Sequence, residues 1–297
     1  MDKLWRCARW NLRSVLKSPQ CILGVIMSGL LCFLLTEFTI DLAWTYQTSL
    51  QALEPYIWCF ADSSSICYAS IALMLVLANL PRLDTAESYL LFRVNRFIWL
   101  GGQLLTTLII TLGYCTFLLL VTILLCGRQA NFLNQWSDTA VLLSFSNDKF
   151  QTAVNVARKA VKLTLPYESA LHIFFLFFQY ILLASALQLF LTLRFNKKAA
   201  TLGTLCFHAY GYLLSPDRFM VWFSLDNSQK YMANLLAAWL SPLQHATYIM
   251  HNFGYDKLPN LWVSQVLLGV CTFFYAWGHI EIYETTVLNS LEDDKYA

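Results

Sequence analysis

One stretch of this sequence concentrates charge of both signs. It reads Pro81-Arg82-Leu83-Asp84-Thr85-Ala86-Glu87-Ser88-Tyr89-Leu90-Leu91-Phe92-Arg93-Val94-Asn95-Arg96-Phe97. About twenty mostly apolar residues precede it and nearly thirty follow, and a run of roughly 20 apolar residues is long enough to cross a bilayer as a helix. The stretch is therefore a brief excursion out of a membrane, predicted to be a short helix. Acids and bases side by side on such a helix suit the docking of a soluble partner better than they suit catalysis.

Other residue types that do chemistry are scattered. Asp62, in "CFADSSSICYAS", stands near one end of an apolar run. An acid inside a span marks a functional site by default, so Asp62 is a candidate pathway residue, although water reaches a boundary position easily. His279, Glu281 and Glu284 lie together in "HIEIYE". Their offsets of two and five do not stack ligands on one helical face, and polar residues meeting water at a span end explain them as well. Nine cysteines are dispersed with no C-x-x-C pair, which is neither a disulfide framework nor a zinc site. They read as small apolar fillers, and no metal site is expected. There is no G-x-x-x-x-G-K-[ST] loop to cradle a triphosphate, no G-x-S-x-G elbow and no H-E-x-x-H.

The elements that position these residues follow from composition. Of 297 residues, 58% are hydrophobic and 13% charged, against about 25% charged in a soluble domain. The mean hydropathy is +0.51. The formal charge of +2 gives no reason to expect nucleic acid as a partner. The pattern predicts an all-α polytopic membrane protein with six transmembrane helices, over about 21–38, 59–80, 98–125, 168–193, 199–215 and 261–285. One membrane domain, 1–297, is expected, with larger outer-side loops at 126–167 and 216–260. Within the first loop, 147–165 carries an apolar stripe of helical spacing. The second contains "YMANLLAAWLSPLQHATYIMH", broken at Pro242, which reads as a re-entrant or surface helix pair rather than a seventh span. Uncharged polar residues inside spans (His172, Gln179, Gln188, His208) are expected to bond between helices. Trp44, Trp58, Trp99 and Trp262 are placed for an interfacial belt.

Charge sets the orientation. Residues 1–20 hold Lys3, Arg6, Arg9, Arg13 and Lys17, and no small-x-small cleavage site follows, so the first span is expected to stay in the protein. Arg82, Arg93 and Arg96 lie between spans two and three, and Arg194, Lys197 and Lys198 between spans four and five. Short basic segments face the cytoplasm, so both termini are predicted inside. Leu4, Trp5, Ala8, Leu12, Val15 and Leu16 fall on one helical face, opposite Arg6, Arg9, Arg13 and Lys17. That is an interfacial amphipathic helix with its cations toward anionic headgroups.

Taken together, the basic interfacial helix, six spans and the charged connector resemble the permease subunits of ABC transporters of the type-2 exporter class. In that class a short cytoplasmic helix between spans two and three docks on the ATPase subunit, and often carries an acid, then a basic-x-x-basic pair, then the next span. Glu87, Arg93-Val94-Asn95-Arg96 and Phe97-Ile98-Trp99-Leu100-Gly101-Gly102-Gln103-Leu104-Leu105 fit that form. Gly102-Gln103 stands where Gly-Lys is frequent, and the Gly or Pro often seen between the acid and the basic pair is missing. The resemblance implies that Asp84, Glu87, Arg93 and Arg96 couple ATP-driven closure to the spans. It implies a second permease subunit, identical or related, and an ATP-binding cassette ATPase subunit carrying the ATP and Mg, with no cofactor bound by this chain. The expected setting is a bacterial plasma membrane, and the expected cargo is a hydrophobic or amphipathic peptide, drug or lipid. The rival readings are a membrane-embedded enzyme acting on lipid-linked substrates, which needs a convergent set of acids, His or Ser at one depth, and a secondary transporter, which needs repeated halves and charged midplane residues.

Overall fold

Helix follows helix along this chain, because long apolar runs leave the backbone no polar partner but itself. The computed structural model describes residues 2–81, 95–145 and 158–296, with backbone only for Arg96, Arg128 and residues 279–296. Helix α1 spans Asp2–Leu16 and α2 spans Pro19–Tyr46. Then come α3 (Glu54–Phe60), α4 (Ser63–Leu77) and α5 (Arg96–Cys126). Short helices α6 (Asp138–Phe145) and α7 (Arg158–Leu163) precede α8 (Pro166–Arg194) and α9 (Lys197–Leu213). The chain ends through α10 (Pro216–Trp222), α11 (Lys230–Leu240), α12 (Pro242–Ala246) and α13 (Leu261–Tyr296).

Among the described residues, α2, α5, α8 and α13 are each long and apolar enough to cross a membrane, and the bent pair α3–α4 makes a fifth if counted as one span. The expected helical membrane protein is therefore present, and the count of six is not reached by length and composition. The fifth predicted span, 199–215, is α9, whose 17 residues give about 25 Å of helix, short of the ~30 Å hydrocarbon core.

The span predicted at 59–80 is not one straight helix. The chain bends by 88° between α3 and α4. Asp62 takes extended backbone and its carboxylate accepts the Ser64 N–H at 3.0 Å, an N-cap that starts a new helix. If α4 runs along the membrane normal, α3 lies close to the membrane plane, across one end of the bundle and outside the crossings.

At that same end the two long helices α2 and α5 finish side by side. Two-residue strands β1 (Leu50–Gln51) and β2 (Ala130–Asn131) pair there in parallel, Leu50 opposite Ala130. This contact was not expected. The opposite end holds α1, seated along the first turns of α5, and Asn79 Nδ2 donates to Gln20 Oε1 at 2.9 Å, tying the end of α4 to the start of α2. The bundle thus has two structured poles, one at α1 and one at the β1–β2 pair.

Large aromatic side chains fill the space between α3 and α8. Tyr56, Trp58, Phe60, Phe177 and Tyr180 are all buried, with Phe60 and Phe177 stacked at 4.9 Å. Two tryptophans assigned to an interfacial belt are buried in the protein instead. Trp58 stacks on Trp136 at 5.2 Å, and Trp99 packs with Cys7 and Leu100, whereas Trp44 and Trp262 are exposed as a belt requires. Seven of the nine cysteines are buried and none forms a disulfide. His208 does bond between helices, its Nδ1 lying 2.9 Å from Tyr180 Oη, and Gln179 and Gln188 each keep a carbonyl oxygen with no partner.

Candidate functional site

The α1 pole is built from close backbone approach. A Cβ on Gly102 would meet Cys7 Sγ at 2.8 Å and Cys7 Cβ at 3.0 Å, and one on Gly101 would meet Leu4 at 3.1 Å. Paired glycines let α1 lie directly against α5. Thr106 Oγ1 then reaches both Gly102 O, at 2.7 Å, and Ala8 O, at 3.3 Å, fastening the two helices. Ser18 caps α2 by accepting the Cys21 N–H at 3.2 Å, and its hydroxyl donates to Val15 O at 2.7 Å, so α1 turns into α2 at a fixed corner. Asn95 caps α5, accepting the Phe97 N–H at 3.2 Å.

The stretch expected to lie at the interface is a helix over Asp2–Leu16, with Arg6, Arg9 and Arg13 exposed. Of the apolar face read in the sequence, Ala8 and Val15 are buried and Leu4 and Leu12 partly so, with Cys7 and Asn11 buried beside them, while Trp5 and Leu16 stay outside. Packing on α5 rather than on lipid alone selects the narrower, smaller-residue side. Of the coupling residues, Asp84, Glu87 and Arg93 lie outside the described residues, and Arg96 begins α5 with its side chain undescribed. Both ends of the 82–94 segment attach at this pole. Asp62, the candidate pathway residue, is half-buried and serves as the cap of α4.

The far pole holds ionisable groups that sequence reasoning passed over. Glu54 is fully buried at the start of α3. Its Oε1 accepts the Ser137 N–H at 2.6 Å and its Oε2 accepts the Ser137 hydroxyl at 2.6 Å. Burial pushes its carboxyl up to about 7, outweighing the hydrogen bonds from Ser137, which act the other way. The available signal was one acid in the otherwise apolar "LEPYIWCF".

Beside α12, which is buried and broken from α11 at Ser241–Pro242 as expected, two histidines share one hydroxyl. His245 Nδ1 is 2.8 Å and His251 Nε2 2.9 Å from Ser264 Oγ. His251 Nδ1 faces the carbonyls of Thr247 and Tyr248, so it carries the proton. Its Nε2 then accepts from Ser264, and His245, whose Nε2 faces Trp239 O at 3.4 Å, packs its Nδ1 against the same hydroxyl. Burial pushes both imidazoles down, His251 to about 4. Lys159 donates to His251 O at 3.0 Å and pairs with Asp256. Ser264 is fully buried, so this cluster clasps helices and presents no hydroxyl to a substrate. Among the described residues no group of three or more His, Cys, Asp or Glu is placed to hold a metal ion.

Comparison with protein-family models, with curated proteins and with solved structures gives no match for this chain.

Proposed function

We propose that the chain is the membrane-spanning permease subunit of an ATP-driven exporter. In this reading α2, α4, α5, α8, α9 and α13, the short α4 and α9 completed by flanking residues, make six crossings of a bacterial plasma membrane, and α1 and the C-terminal end of α13 lie on the cytoplasmic side. Two such subunits, identical or related, form the path. Separate ATPase subunits dock on 81–97, where Asp84, Glu87, Arg93 and Arg96 make the contacts. The cargo is hydrophobic or amphipathic (a peptide, drug or lipid), in keeping with crossing helices whose Lys and Arg stand only at their ends.

The observation that carries this reading is the seating of α1 on the first turns of α5 through Gly101, Gly102 and Thr106. Any force on the connector between α4 and α5 is delivered to a packed unit rather than to a loose helix end. Closure of the ATPase pair then tilts α5 and carries α1 with it. The bias between the two states comes from contacts that the connector makes in one and loses in the other.

The test is copurification from detergent-solubilised membranes, comparing wild type with the triple variant Glu87→Ala/Arg93→Ala/Arg96→Ala. A nucleotide-binding subunit that accompanies wild type and is lost from the variant is the expected result. Retention by both proteins moves the docking site elsewhere. Absence from both removes the exporter reading.

A further inference from the structure

The far pole carries a cleft whose chemistry differs from everything around it. After α2 the chain reverses through Gln47, whose φ of 51° is left-handed, and after α5 it reverses through Gly127, whose φ is 57°. The two reversals lie next to each other because β1 pairs with β2. Between them opens a cleft of about 890 Å³, lined by Trp44, Gln47, Thr48, Ser49, Gln129 and Asn131 among others. Its size falls within the ~300–1,000 Å³ typical of ligand sites. A smaller pocket of about 170 Å³ shares Ser49 and Asn131 with it and adds Gln51, Gln135, Ser137 and Asp138.

Two features mark this as more than a surface dent. Gln51 is 1% exposed, and its Nε2 has no hydrogen-bond partner, although its Oε1 accepts the Leu53 N–H at 2.7 Å. Gln129 Oε1 on the wall of the larger cleft is likewise buried and unpartnered. A buried amide atom left unpaired is costly unless a ligand or water completes it. The wall is also held in place. Ser137 is fixed through both its N–H and its hydroxyl by Glu54, and Thr48 and Thr139 hydroxyls meet at 2.6 Å.

The donor and acceptor types define the ligand. The described amides and hydroxyls offer both donors and acceptors, and a ligand hydroxyl both donates and accepts. Asp138 adds an acceptor and disfavours an anion. Trp44 is 57% exposed, offering a ring face to the C–H side of a sugar, and Phe132 and Leu133 form an apolar rim. We propose that this cleft binds a saccharide, either free or as the headgroup of a glycolipid in the adjoining leaflet. The site stands independently of any ATPase docking at the α1 pole.

The experiment uses the full chain in phosphatidylcholine nanodiscs. Maltose is titrated and read by saturation-transfer NMR. Discs doped with diglucosyl diacylglycerol are read by native mass spectrometry for retained lipid, with phosphatidylglycerol and trialanine as competitors. Variants are Gln129→Ala, Asn131→Ala and Gln47→Gly, the last chosen because glycine accepts the left-handed backbone. Each removes one or two hydrogen bonds and is expected to weaken binding about 5- to 10-fold, from the usual net worth of such a bond. Thermal midpoints equal to wild type confirm folding, and Trp5→Ala on α1 serves as the remote control.

Maltose binding weakened by these variants supports a free sugar as ligand. Variant-sensitive retention of the glucolipid without maltose binding supports the headgroup. Binding of neither overturns the proposal. So does binding that the variants leave unchanged, displacement by phosphatidylglycerol, or displacement by trialanine, which would make the cleft a peptide site.

Discussion

Replacing Glu54 with Gln should make the protein more stable at pH 8 and leave it nearly unchanged at pH 4. Glu54 is fully buried and its carboxyl is pushed from an ordinary 4.5 up to about 7, burial being the dominant cause. The group therefore holds its proton in the folded protein over a range where the unfolded chain has already released it. Stability falls wherever the folded state binds more protons than the unfolded one. The deficit is absent below about pH 4.5, grows as pH rises toward 7 and is constant above that. At about 1.4 kcal/mol per pH unit the gap amounts to on the order of 3 kcal/mol. Glutamine keeps the shape. Its Oε1 still accepts the Ser137 N–H, and its amide can donate to the Ser137 hydroxyl, which already accepts from Ala140 N at 3.1 Å.

His251 works in the opposite sense. Burial lowers its imidazole from 6.5 to about 4, so between those values the unfolded chain holds the extra proton, and stability is lost as pH falls. In wild type the two slopes oppose each other between about pH 4.5 and 6.5. Glu54→Gln removes one of them and exposes the histidine slope. Thermal unfolding in detergent, followed by a thiol-reactive dye that reports the seven buried cysteines, reads this directly. The quantity that matters is the difference between variant and wild type at each pH, because dye reactivity itself varies with pH. A difference that is flat from pH 5 to 8, or a variant less stable at pH 8, would show that Ser137 outweighs burial and would refute the reasoning.

Two further substitutions test the packing at the α1 pole and in the middle of the bundle. Gly102→Val drives a side chain into Cys7, whose Sγ is 2.8 Å from the position of the first added carbon. Overpacking of this kind costs about 1–3 kcal/mol, and Cys7, now buried, should become reactive to a maleimide in the folded protein; unchanged protection of Cys7 would mean that α1 is not held there. Tyr114→Phe removes a hydroxyl that donates to Ala69 O at 2.8 Å and meets Ser28 Oγ at 2.6 Å, joining α2, α4 and α5. Interhelical bonds in membranes are worth about 0.6–1.7 kcal/mol, so the midpoint should drop by a few degrees, and a midpoint at or above wild type would remove the bond from any structural account.

Hydropathy and charge located α1, the long helices and the break before Pro242, because each depends on residues close together in the chain. The bend at Asp62 was legible in kind. Asp-Ser-Ser-Ser is a helix-start signature, but a window that sums apolar content runs straight through it. The neighbouring Glu54-Pro55 start of α3 was lost in the same way. What could not be read locally is the meeting of Gln51 with Asn131, and hence the cleft. Two strands of two residues each, separated by α3, α4, the 82–94 segment and α5, leave no periodic trace. Ser137 as the partner of Glu54 is hidden for the same reason. The sequence shows the amphipathic stripe of α1 but not that Gly101 stands against Leu4 and Gly102 against Cys7 and Ala8.

The hydroxyls inside the spans bear on where a cargo could travel. Ser28, Thr36, Ser70, Thr107, Ser185 and Thr192 donate to carbonyls four residues earlier in their own helices. Hydroxyls committed to their own backbone in this way do not line a polar route. Tyr56, Trp58, Phe60, Phe177 and Tyr180 meanwhile fill the space between α3, α5 and α8. A single copy thus has a packed interior among its described residues, while α2 presents Ile22, Ile26, Leu30, Phe33 and Leu34 outward. An exporter built on this chain must conduct its cargo along an outer face or between two copies.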